Sequence, residues 1–261
     1  MLNSIQALGQ AGLRQLASLG RMGMFFVRLL EGLGSPPWKF WPVIKQIHFI
    51  GSKSLFVISF VGAFTGMVLG LQGYHTLSKV GSEGWLGAGV AMGLIRELGP
   101  VTAALMVTGR AGSAMCAELG IMRIDEQIDA LECMAINPFS YLIAPKLLAG
   151  LIAVPLLSAM FDVVGIVGGY LTGVVLRGVN PGSYWQGIDS SIDWQDVYMG
   201  IVKSFCFATL IIWICTYKGY YAGVDEGSFG PEEVSKATTD AVVLSSVAIL
   251  VSDYVITSLL I

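Results

Sequence analysis

Two stretches of this sequence pair chemically capable side chains with surroundings that make them costly. Arg96 and Glu97 are adjacent, lie inside an apolar run and are followed at once by Gly99-Pro100. Ionisable groups in a membrane-length run are expensive to bury and usually mark a substrate or ion path. An Arg–Glu couple there could grip a charged head group or latch a gate. It could equally be a structural ion pair that holds neighbouring helices together. Successive helical residues point about 100° apart, so the two need not pair with each other. Pro100 has no N–H to give the Arg96 carbonyl, which places a bend here.

The second stretch runs from Ile121 to Ala135. Ile121, Ile124, Ile128, Leu131 and Ala135 share one helical stripe, and Asp125, Glu126, Asp129 and Glu132 share another. Only Arg123 offsets the acids. Such a helix is either a solvated surface element or one seated in a groove of a soluble partner. In the second case apolar residues are the anchors and acids meet basic partner residues. The apolar stripe needs some cover, which favours docking.

Other candidates are weaker. Asp162, Lys203 and Asp253 are isolated charges in apolar runs, each able to snorkel or to pair internally. Cys116, Cys133, Cys206 and Cys215 show no disulfide or metal-like spacing, and His48 and His75 stand alone. No metal site is expected. Gly51-Ser52-Lys53-Ser54 lacks the spacing of a phosphate-binding loop. No Ser-His-Asp set or paired catalytic carboxylates stand out, and nothing points to nucleic acid.

The elements that must position these residues are membrane helices. Of 261 residues, 54% are hydrophobic and 13% charged, against about 25% charged in soluble domains. Five apolar runs cover about 54–78, 84–109, 147–176, 197–217 and 241–261, each long enough for a core of ~30 Å. Arg96 then lies about 12 residues into the second span, roughly 18 Å deep. Gly62, Gly66 and Gly70, and later Gly165, Gly169 and Gly173, recur at the four-residue spacing that lets helices approach closely. Residues 1–35 form a separate interfacial amphipathic helix, with Arg14, Arg21 and Arg28 at intervals of seven. Its first charge is Arg14, unlike the charged start of a cleaved leader. With the N-terminus in the cytoplasm, eleven Lys and Arg residues lie inside and only Lys79 and Arg177 outside. The C-terminus is then outside and the acidic segment inside. The expected fold is an all-α membrane protein with an interfacial helix, a five-span domain over 46–261 and a cytoplasmic coupling helix over 121–135.

Several motifs carry a resemblance. Gly66-Met67-Val68-Leu69-Gly70-Leu71-Gln72, Arg96-Glu97-Leu98-Gly99-Pro100-Val101, Gly109-Arg110-Ala111-Gly112-Ser113 and Ala117-Glu118-Leu119-Gly120 resemble the MlaE-type permease family, as does Glu126 through Leu131. The resemblance covers nearly the whole chain. It implies the membrane subunit of an ABC transporter that moves phospholipid between the bacterial inner membrane and a periplasmic MCE-domain carrier, maintaining outer-membrane lipid asymmetry. It further implies a homodimer, cytoplasmic ATPase subunits holding ATP and Mg, an MCE ring, a STAS-domain partner and no cofactor or catalysis in this chain. On that reading Leu69, Gln72, Tyr74 and Leu77 of the first span, with Arg96 and Glu97 of the second, line the lipid cavity. Ile121, Ile124, Asp125, Glu126, Ile128, Asp129, Leu131 and Glu132 dock the ATPase. A competing class is an ion-coupled secondary transporter of a lipid-like substrate with Arg96, Glu97, Asp162 and Asp253 as its relay. Such proteins often carry internal repeats, which are not detected here.

Overall fold

A computed structural model describes residues 2–34, 40–223 and 230–260, so Met1 and Ser35 of the expected interfacial helix, and 224–229 and Ile261 of the expected five-span domain, lie outside the described residues. Eight helices follow in order. They are α1 (Leu2–Gly34), α2 (Phe40–Ser78), α3 (Glu83–Ile124), α4 (Gln127–Cys133), α5 (Phe139–Leu176), α6 (Pro181–Ser191), α7 (Trp194–Tyr220) and α8 (Pro231–Leu260). Five of them, α2, α3, α5, α7 and α8, are long and apolar enough to cross a membrane. Four extend well past their apolar runs: α2, α5 and α8 begin 14, 8 and 10 residues before theirs, and α3 ends 15 residues after its own. Hydropathy marks where lipid ends, whereas helix continues through good formers such as Met115, Ala117 and Glu118 until the backbone is broken.

The expected coupling helix over 121–135 is divided. Helix α3 carries on to Ile124, Glu126 takes a left-handed conformation at φ 55°, and the short α4 begins at Gln127. Ala135 is left-handed as well, at φ 58°. Neither is a glycine or asparagine, so no local sequence signal announces either break.

Helix α5 is the hub, packed along α2 and also against α3 and α7, with α8 lying on α7 and α3. The two glycine stripes face each other across α2 and α5. A Cβ on Gly66 would overlap the Gly165 carbonyl, and one on Gly70 would lie 2.9 Å from the Gly169 carbonyl. Gly62 faces Phe161, and Gly173 turns toward Leu86 of α3. Gly168, outside the repeating stripe, also touches α2 at Ala63. Without water to drive helices together, this close backbone approach is what dispersion can use.

Helix α1 lies against the end of the bundle where α5 begins and α7 finishes. Phe25 and Leu29 are buried, and Phe25 packs its ring on Phe139 at 5.1 Å and Tyr217 at 5.5 Å. The Trp213 indole donates to the Met22 carbonyl at 3.0 Å. At the opposite end α6 is pinned by Tyr184, fully buried, whose hydroxyl donates to the Ile166 carbonyl at 3.0 Å. Burial pushes that phenol's pKa up.

Candidate functional site

Arg96 and Glu97 occupy a π-helical turn, Leu94–Leu98, immediately before Pro100. The Gly99 N–H reaches back five residues to Leu94, and Pro100 donates nothing, so the Arg96 carbonyl has lost its usual helical partner. Lys203 of α7 fills the gap, its Nζ donating to the Arg96 carbonyl at 2.8 Å. The same ammonium donates to Glu97 Oε2 at 2.7 Å. Asp253 Oδ1 of α8 lies 2.9 Å away, an ion pair by distance that falls short of hydrogen-bond geometry. Thr257 of α8 donates to Glu97 Oε1 at 3.3 Å.

Arg96 pairs elsewhere. Its Nε donates to Asp196 Oδ1 at 2.6 Å and Nη2 approaches the same oxygen at 2.5 Å. Asp196 is held for this by a capping box at the start of α7, where its Oδ2 accepts the Asp193 N–H at 3.0 Å. Two cations and three carboxylates from α3, α7 and α8 thus form one chain of contacts. Within each principal pair one member is hidden and one open. The Asp196 and Lys203 side chains are 4% and 0% exposed, against 37% for Arg96 and 42% for Glu97. The buried partners orient this half-buried pair, and both Glu97 oxygens accept bonds, from Lys203 and from Thr257.

The other expected cavity residues stand apart. Leu69, Tyr74 and Leu77 are partly buried against the chain's own core, and Gln72 is exposed. Among the described residues no hydrogen bond, ion pair or ring contact joins them to Arg96 or Glu97. Tyr74 instead receives the Arg177 guanidinium 5.6 Å above its ring. Asp162 faces Gly99, where an added Cβ would meet its carboxylate, and its buried Oδ1 has no hydrogen-bond partner. Among the described residues no hydrogen bond or ion pair joins it to the Arg96–Lys203 network.

The acidic segment divides by exposure. Ile121, Asp125, Glu126 and Glu132 are exposed, Ile124, Asp129 and Leu131 are half-buried, and Ile128 is fully buried. Ile128 is therefore part of the protein's own core and offers no anchor to a partner. The expected stripe does have a cover: this chain supplies it for Ile128. Arg123 pairs with Asp129 at 2.6 Å, and the Tyr220 hydroxyl donates to Glu132 at 3.1 Å, holding α4 against the end of α7. Beside α4, a groove of 560 Å³ runs between α3 and α8, lined by Ile121, Ile124, Asp125, Val234 and Thr238 among others.

Sequence reasoning missed Asp196, Thr257 and the central place of Lys203. The spacing Asp193-x-x-Asp196 was the one available signal, since it marks a helix start. Nothing local tells that this cap also faces an arginine 100 residues away.

Comparison with known proteins bears on this architecture along its full length. The family described as Permease MlaE matches residues 43–259. The chain is 41% identical to the intermembrane phospholipid transport system permease protein MlaE of Haemophilus influenzae, covering 100% of this chain and 98% of that protein. It is 39% identical to a probable ABC transporter permease protein of Rickettsia bellii, over 99% and 98% of the two chains. A probable ABC transporter permease protein of Synechocystis is 30% identical over 92% of this chain and 88% of its own length. The chain belongs to the MlaE permease family.

Proposed function

We propose that this protein is the membrane subunit of an ABC transporter that moves phospholipid between the inner membrane and a periplasmic MCE-domain carrier. The end-to-end identity with a relative named as an intermembrane phospholipid transport permease carries the reading. Five membrane-length helices and a polar network with open edges are consistent with it. The chain works as a homodimer with its N-terminus and α4 in the cytoplasm and its C-terminus outside. ATP and Mg are bound by partner ATPase subunits, and a STAS-domain protein completes the cytoplasmic side.

The lipid site lies along the outer half of α2 and the bend of α3. A phospholipid needs an apolar wall and a few polar groups. Arg96 and Glu97, fixed from behind by Asp196 and Lys203, present those groups, with Leu69, Gln72, Tyr74 and Leu77 toward the outer opening. The ATPase docks on the exposed part of the acidic segment, Ile121, Asp125, Glu126 and Glu132, flanked by Ile124, Asp129 and Leu131. Tagged chain expressed in its own host should co-purify with an ATPase subunit and with phospholipid. A chain that purifies with phospholipid and no ATPase, and that transports without ATP, would contradict the assignment.

A further inference from the structure

The end of α2 near α1 holds a feature the proposed cavity does not use. Arg110 of α3 donates from Nη1 to the Phe49 carbonyl at 2.8 Å and to Ser54 Oγ at 2.7 Å. Both Phe49 and Arg110 sit in π-helical turns, His48–Ser52 and Thr108–Gly112, which aim these groups between the two helices. The guanidinium carbon lies 5.2 Å from the Phe49 ring centroid, and Lys53 Nζ lies 5.4 Å from the same centroid. Two cations therefore converge on one ring. Among the described residues no carboxylate pairs with either, and Arg110 Nε and Nη2 have no protein acceptor. Lys53 immediately precedes the apolar run of α2, and Arg110 immediately follows that of α3, which is the level of the lipid phosphates.

An exposed aromatic track begins directly beyond these charges. Lys53, Phe56, Phe60 and Phe64 follow at spacings of three and four and so share one stripe. The three phenylalanines are 78%, 57% and 52% exposed, with successive ring centroids 6.3 Å and 4.7 Å apart. From Lys53 to Phe64 the helix rises about 16 Å, close to one leaflet of a ~30 Å core.

We propose that Lys53, Arg110 and the Phe56–Phe60–Phe64 ladder form a phospholipid site in the leaflet next to α1, phosphate on the two cations and an acyl chain along the rings. Exposed phenylalanines on a membrane helix are ordinary. Unneutralised cations at the foot of the same stripe, one leaflet long, match an anionic head and its chain. A second copy of this chain fits the stripe poorly, because a two-fold contact would bring Lys53 against its own counterpart with no carboxylate to offset it. Assigning the site to the cytoplasmic leaflet, as a loading position for the permease, rests on the proposed function and orientation. The binding itself is a property of this chain alone.

The test uses the full-length chain in vesicles of phosphatidylethanolamine and phosphatidylglycerol, with a benzophenone amino acid replacing Phe60. Illumination should give an adduct heavier by one phospholipid. Lys53→Gln and Arg110→Gln should each lower its yield about fivefold, and excess inorganic phosphate should leave it unchanged. Arg110→Gln also removes bonds between α2 and α3, whereas the Lys53 side chain makes no hydrogen bond among the described residues, so Lys53→Gln decides. A protein–protein adduct at twice the chain mass would assign the ladder to a second copy and overturn the proposal. So would a lipid yield indifferent to Lys53→Gln, or one abolished by inorganic phosphate. No ATPase is present, so failure here and failure of the transporter assignment are separately visible.

Discussion

Lys203 is fully buried yet touches two carboxylates and an orphaned carbonyl, and this contact set explains three separate sequence oddities. A lysine in the fourth apolar run, an aspartate in the fifth and a proline after Arg96-Glu97 each looked costly in isolation. Together they satisfy one another. Removing one member of a buried ion pair leaves the other uncompensated and costs about 3–5 kcal/mol. Lys203→Met is therefore expected to lower thermal stability in detergent by about that amount, and Lys203→Met with Glu97→Gln and Asp253→Asn should recover a large part of it. A fully additive loss in the triple variant would show that these groups are not coupled. The charges themselves were legible, because ionisable residues stand out against apolar neighbours. Their pairing was not, because Arg96 and Glu97 find partners 100 and 106 residues away on helices whose rotation no local pattern sets.

At the scale of elements, the length of the apolar runs located all five membrane-length helices, and the four-residue glycine spacing marked where α2 and α5 approach. Periodicity overextended the acidic helix, since Glu126 breaks the backbone without a glycine, and hydropathy stopped short of the helix ends. Gly66 has no room for any side chain, so Gly66→Val should separate α2 from α5 and cost about 2–5 kcal/mol or abolish folding, read by melting and monodispersity. Gly89 is exposed with nothing within 4 Å of an added Cβ, so Gly89→Ala should be neutral or slightly stabilising. The acidic segment gives a second contrast. Ile121→Asp, on the surface, should release the ATPase on pull-down while the permease melts normally. Ile128→Asp buries a carboxylate in the core and should lower the melting temperature first. Release of the ATPase by neither change in folded protein would place the docking surface elsewhere.

For the whole molecule, the proposed orientation, which rests on the count of Lys and Arg, has both the α1 and α4 ends inside. In a background without native cysteine, single cysteines at positions 14, 21 and 28 should react only with reagents on the cytoplasmic face. Labelling from the periplasm would contradict the interfacial placement of α1 and the orientation of every span. On the proposed function, phospholipid passes between the outer half of α2 and the bend of α3. That path is tested most directly by measuring lipid bound to, and moved by, the purified complex for Leu69→Arg and Glu97→Ala, with dimer yield recorded alongside. Both variants are expected to keep the dimer and lose most bound and transported lipid, Leu69→Arg by blocking the apolar wall and Glu97→Ala by removing an exposed polar edge. Normal lipid occupancy and transport in both would contradict a cavity at this place, and loss of the dimer in Glu97→Ala would return that carboxylate to a structural role.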